Sequence, residues 1–210
     1  MKDLDAEYDA TLERVKTWTP ENVEDVAREM VALADRQHPD ATYFVAYWQM
    51  QTVKGFRRND EAFKSLMIRG MKLGSKLALA RCLQDGFSVP KDPERAVQIL
   101  HELEKSLPPH PRVLGGLAYV YGAGAGCPRD EQRGKEYRRQ AIALGDVTSM
   151  YALGLYRTYD FDMLVQAADY GHGPVRFAWS GSGRGEGFMG VVLGCAVSII
   201  SFVCVCVEPL

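Results

Sequence analysis

The chain has 210 residues, 47% hydrophobic and 25% charged, with a formal net charge of −2. That balance is the composition of an ordinary globular protein, and it excludes a low-complexity disordered chain. Five cysteines without a CxxC pair are too few and too scattered for a disulfide framework, so a reducing cytosolic setting is the default.

The start, Met1-Lys2-Asp3-Leu4-Asp5, is acidic and has no apolar h-region, which argues against a cleaved secretory signal. Leu4, Tyr8, Leu12 and Val15 then recur at amphipathic helix spacing. Thr19-Pro20-Glu21 reads as a second helix start: a hydroxyl cap, proline at the first position and an acid in the first turn. Val23, Ala27, Met30, Val31 and Ala34 give its apolar face, and His38-Pro39-Asp40 ends it. Residues 1–38 are thus a helical pair, either a cap or a degenerate repeat. From there to residue 172 the pattern predicts four helix pairs: 41–53 with 60–73, 75–85 with 92–106, 112–121 with 130–144, and 147–157 with 161–170.

Charge is uneven along these elements. Residues 1–40 carry eleven acids against five bases, and residues 54–81 carry eight bases against two acids. Solvated outer helix faces account for this; the sharper alternative is an electropositive stripe for an acidic partner. Nothing else in the chain points to nucleic acid, and none is expected as a partner.

One loop occurs twice: Gly86-Phe87-Ser88-Val89-Pro90-Lys91-Asp92 and, 38 residues on, Gly124-Ala125-Gly126-Cys127-Pro128-Arg129-Asp130. A fainter relative ends at Asn59-Asp60. Gly86 and Gly124 suit the left-handed backbone just past a helix end. Pro90 and Pro128 prevent the first helix from resuming, and Asp92 and Asp130 are placed to cap the next one. Gly145 and Gly171 close the later pairs. With these loops, Ala96 and Ala141 in the following helices, and aromatic first helices such as Leu117-Ala118-Tyr119-Val120-Tyr121, the units resemble Sel-1-like repeats, relatives of the tetratricopeptide family, over roughly residues 40–172. The resemblance implies an all-α, right-handed solenoid of helix pairs that serves as a non-enzymatic scaffold for other proteins, with no catalytic residues in the repeat itself.

Beyond His172 the character changes. Residues 173–186 read as a Gly/Ser-rich linker, and Gly187–Val207 is 21 residues without a charge. As a helix that stretch would be about 31 Å long, close to the roughly 30 Å hydrocarbon thickness of a bilayer. Arg176 and Arg184 precede it and no base follows, so the expectation is a tail anchor with the repeats on the cytosolic side, at the ER. Gly190, Gly194 and Ser198 would lie on one face of that helix and allow close pairing with a second copy. The alternative is a soluble cytoplasmic adaptor or organelle assembly factor whose tail is not an anchor.

For chemistry the chain offers little. His101-Glu102-Leu103-Glu104-Lys105 begins like a zinc-protease helix but has Lys105 where the second histidine belongs, so no metal and no cofactor is expected. His38, His101, His110 and His172 read as loop or capping residues. Partners of solenoids dock on the face formed by the first helices. Counting back from the loop glycines puts Arg81, Gln84, Asp85 and Tyr119 there, with Tyr156 joining them. The alternative for the tyrosines is that they fill gaps between helices.

Overall fold

Short amphipathic runs between capping residues become helices here, and the cap side chains set where each begins. The computed structural model describes residues 2–51, 56–153, 170, 175–182 and 186–193. The chain forms two units, residues 1–172 and 173–210. In the first unit the described helices are α1 (Lys2–Lys16), α2 (Val23–Asp35), α3 (Pro39–Gln51), α4 (Asp60–Lys72), α5 (Lys76–Asp85), α6 (Pro93–Ser106), α7 (Pro111–Ala123), α8 (Glu131–Ala143) and α9 (Val147–Leu153). Each packs on its successor, and α3 also meets α5, as in a row of stacked helix pairs. The described part of this unit is all-helical.

Two series of caps record the repeat. Before α4, α6 and α8, the side chains of Asn59, Asp92 and Asp130 accept from the amides of Ala62, Arg95 and Arg133. Before α3, α5, α7 and α9 the acceptors are His38, Ser75, His110 and Asp146, spaced by 37, 35 and 36 residues. Contacts between successive units keep the same period: Ser75 Oγ donates to Asp40 Oδ1 at 2.5 Å, and Arg81 Nη1 to the Tyr47 hydroxyl at 3.3 Å.

One start differs from the sequence reading. The helix expected at Thr19-Pro20-Glu21 begins three residues later, at Val23. The Thr19 amide donates to Asn22 Oδ1 at 2.8 Å and the Thr19 carbonyl accepts from Asn22 and Val23, so Pro20–Asn22 are turn.

The loops nest. Gly126 has φ +84° and rests on the backbone of Pro93 and Glu94 at the start of α6, where a side chain would land on the Pro93 carbonyl. Its counterpart in the first loop, Ser88, has the same left-handed backbone (φ 61°) but is exposed.

The core centres on α3, whose residues 41–48 are all buried. A helix apolar all round needs cover on every side. α2, α4 and α5 supply part of it, and Tyr8 of α1 and Trp18 just beyond α1 supply more. Tyr8 stacks on His38 at 4.2 Å and lies 6.4 Å from Phe44, and Trp18 stacks on Trp48 at 5.5 Å.

The second unit corrects the C-terminal reading. Val175–Ser182 (β1) and Glu186–Leu193 (β2) pair antiparallel, from Val175 opposite Leu193 to Ser182 opposite Glu186. Most of the expected linker is therefore strand, and so are the first seven residues of the expected membrane helix. Aromatic and β-branched residues on both sides of a Gly-rich segment are hairpin material. No helix among the described residues is long and apolar enough to cross a membrane. Gly190 stands opposite Ala178 in the hairpin, so the helical face expected to join it to Gly194 and Ser198 does not form at that position. Gly194 and Ser198 lie outside the described residues, as do Tyr156, Gly171 and all but Tyr170 of the expected helix 161–170.

Replacing Asp92 or Asp130 with alanine removes an amide acceptor at a helix start and should lower stability by about 1 kcal/mol each. Urea melts of the two variants beside the wild type measure it, and unchanged midpoints would contradict the capping role.

Candidate functional site

The four described docking candidates come from two first helices. Arg81, Gln84 and Asp85 sit at i, i+3 and i+4 on α5, which puts them on one face, and Tyr119 stands on α7. Arg81 is the centre of the group. Its guanidinium lies 5.7 Å from the Tyr47 ring, 5.6 Å from Phe63 and 6.0 Å from Tyr119, and its Nε donates to Asp85 Oδ2 at 2.7 Å. Burial works against the charge, but Tyr47 and Asp85 outweigh it and hold the guanidinium protonated above its usual range. Three rings and a carboxylate thus fix Arg81 in one orientation. Gln84 is half-buried beside it, and Tyr119 is 47% exposed.

A second arginine, at the start of α7, was not singled out in the sequence. Arg112 is a buried cation, with side-chain exposures of 5% for it and 4% for its partner Asp146. Nη1 donates to Asp146 Oδ1 at 2.7 Å and to Thr148 Oγ1 at 3.1 Å, Nη2 to the Tyr43 hydroxyl at 3.5 Å, and the guanidinium carbon stands 3.6 Å from the Tyr47 ring centroid. Burial disfavours its charge, yet Tyr43, Asp146 and Tyr47 more than offset that, so Arg112 stays protonated. Conversely, burial pushes the Tyr43 phenol up to about 12 against the pull of Arg112. Asp146 also accepts from the amide and hydroxyl of Ser149, so one carboxylate holds the arginine and starts α9. The signal in the sequence was that Arg112 is the only charge in the 13-residue helix α7. Beside this pair lies a cavity of about 10 Å³, lined by Trp18, Tyr47, Trp48, Arg112, Asp146 and Thr148 among others.

A third cluster spans α6, α7 and α8. His101 bonds Glu104 Oε2 through Nδ1 and the Tyr121 hydroxyl through Nε2, both at 2.8 Å. Arg133 lies 4.3 Å from the Tyr121 ring, and Tyr121 stacks on Tyr137. His101 therefore joins two helices, where the sequence reading put it at a loop or a helix end. Among the described residues no group of three or more His, Cys, Asp or Glu side chains could hold a metal ion.

This architecture has recognisable relatives. Residues 75–102 and 114–146, spanning α5–α6 and α7–α8, match the model of the Sel1 repeat. Both segments are Sel1 repeats. The chain is similar to the crystal structure of a Sel1 repeat protein from Oxalobacter formigenes, at 21% identity and a TM-score of 0.42. It is also similar to a protective antigen of uropathogenic Escherichia coli with an SLR fold, at 18% identity and a TM-score of 0.34. The matches cover 68% and 66% of this chain, and 61% and 31% of those two proteins. The first Sel1 repeat thus carries Arg81, Gln84 and Asp85, and the second carries Tyr119.

Arg112→Met leaves the Asp146 carboxylate buried without its cation and should lower stability by about 3–5 kcal/mol. Denaturant melts of this variant and of Arg112→Met/Asp146→Asn test it, and the double variant should recover part of the loss.

The buried histidine beside Arg112 predicts a pH dependence. Burial first, then Arg112 and Lys16, press the His110 imidazole down to about 3. An unfolded chain takes up that proton below about pH 6.5. Its contribution is therefore complete above pH 6.5 and declines as pH falls toward 3, by up to about 1.4 kcal/mol per pH unit. His110→Asn keeps an acceptor for the Arg112 and Val113 amides and removes the titration. Urea melts at pH 7 and pH 5 should show a smaller loss for this variant than for the wild type; equal losses would refute the assignment.

Proposed function

We propose that the protein is a non-enzymatic scaffold that recruits other proteins, and that they dock on the α5–α7 face around Tyr119. Sel1 repeats generally mediate contacts between proteins, and two of them build this face. The observation that carries the proposal is Tyr119 itself, a large aromatic side chain half in solvent, next to an arginine locked by three rings. Tyrosine and arginine are the residue types on which interface energies concentrate. A pre-oriented Arg81 loses little freedom when a partner covers it, which favours binding. Gln84 and Asp85 form the polar rim.

Of the two placements that the sequence allows, the adaptor without an anchor is the one that strand β2 supports. Alkaline carbonate extraction of the full-length protein tests it, and retention in the membrane pellet would reinstate the anchor.

Tyr119→Ala should weaken partner binding by about 2 kcal/mol, roughly thirty-fold in Kd, without lowering the melting temperature. Quantitative capture from a cell lysate on wild-type and Tyr119→Ala protein reads this directly. The proposal predicts specific proteins held by the wild type and lost by the variant; matching profiles would sink it.

A further inference from the structure

In a row of helix pairs the first helices leave a stripe of side chains on the inner face of the curve. On α3 that stripe is covered, because residues 41–48 are buried on every side. The cover is α1 with Trp18, and its contacts are not those of one more helix added to the row. Tyr8 reaches His110, 102 residues away, with 3.4 Å between its hydroxyl and Nε2. Trp18 Nε1 donates to the Gly145 carbonyl, 127 residues away, at 3.1 Å, and the Tyr170 hydroxyl donates to the Trp18 carbonyl at 3.1 Å. α1 therefore lies across the starts of α3, α7 and α9.

The seat beneath it is built to admit a helix. Rings of His38, Phe44 and Trp48 floor it, with His110 alongside. Gly145 gives it clearance, since a side chain there would come within 2.5 Å of the Val15 carbonyl and 3.1 Å of the Trp18 indole nitrogen. Into it go Tyr8, Leu12, Val15 and Trp18, one apolar stripe. At the rim Arg36 faces Glu7, and Arg14 of α1 itself pairs with Glu29 of α2. Such solvent-exposed pairs steer a charged helix but hold it weakly. Because α1 packs through this single face, it can open as a unit without unfolding the helices behind it.

We infer that this seat is a docking site for a partner's acidic amphipathic helix ending in an aromatic residue, and that α1 is the intramolecular occupant such a helix must displace. The chemistry of the partner is read from α1: apolar residues at i, i+4 and i+7, an indole N–H for the Gly145 carbonyl, and a carboxylate for Arg36. The binding mode is a helix in a groove. Its apparent affinity is reduced by the fraction of molecules in which α1 is seated. The inference rests on the scaffold reading and extends it to a second surface.

The probe is a fluorescent peptide of residues 2–19, titrated into full-length protein. Trp18→Ala in the protein weakens its own occupant, so this variant should bind the peptide at least ten-fold more tightly than the wild type, and a peptide carrying the same change should bind neither. A Trp18→Ala protein with wild-type helical circular dichroism that fails to take up the unmodified peptide overturns the proposal. Should that variant unfold, hydrogen exchange on the wild-type protein decides. Amides of α1 exchanging ahead of those of α3 and α7 support displacement, and α1 exchanging together with α3 overturns it. Tyr119→Ala should leave peptide binding unchanged, so failure of the Tyr119 face and failure of the seat are read separately.

Discussion

The Arg112 guanidinium is the contact on which the arrangement of the first helices depends. It is planted in the first turn of α7, bonds the carboxylate that starts α9, and lies on tyrosines of α3. Three first helices are thereby tied at one point. A buried cation is tolerable only where its partners replace the water it has lost, and here a carboxylate, two hydroxyls and a ring face do so for every part of the guanidinium but Nε, which is buried without an acceptor. Geometry rather than net energy is what such a cluster supplies, because an apolar substitute would not dictate where α9 begins relative to α3.

From that point order spreads outward along α3. Its aromatic residues are held from below by α2 and α4 and from the inner side by Tyr8 and Trp18. Tyr47 connects core and surface, since one side chain packs against Arg112 inside and Arg81 nearer the solvent. A docking face supported this way presents its polar groups without first having to order them.

What could be read in advance was what is local. Loop glycines and the aspartates after them mark helix ends wherever they occur, and the helix pairs from α4 to α8 followed from them within one or two residues. That Arg81, Gln84 and Asp85 share one side of α5 was legible from spacing alone. Thr19-Pro20-Glu21 misled because its residue types fit a helix start, whereas the Asn22 side chain takes the Thr19 amide and keeps the segment a turn. The lone charge in α7 was visible, but its partner lies 34 residues on and only the fold brings them together. The same holds for the enclosure of Arg81 by rings of three helices and for the reach of α1 to Gly145. At the C-terminal side, a charge-free run of bilayer length competed with the hairpin pattern, and over Glu186–Leu193 a pairing partner upstream, Val175–Ser182, makes it strand.

The two loops that announce the repeat are not interchangeable. Gly126 touches the backbone of the unit before it, while Ser88, at the matching place, is exposed. The array therefore has a direction of growth. A chain lengthened by copying the later unit keeps glycine wherever one loop meets its predecessor. Copying the earlier unit would drive a serine side chain into its neighbour's backbone, so the order of the units is written into a single missing β-carbon.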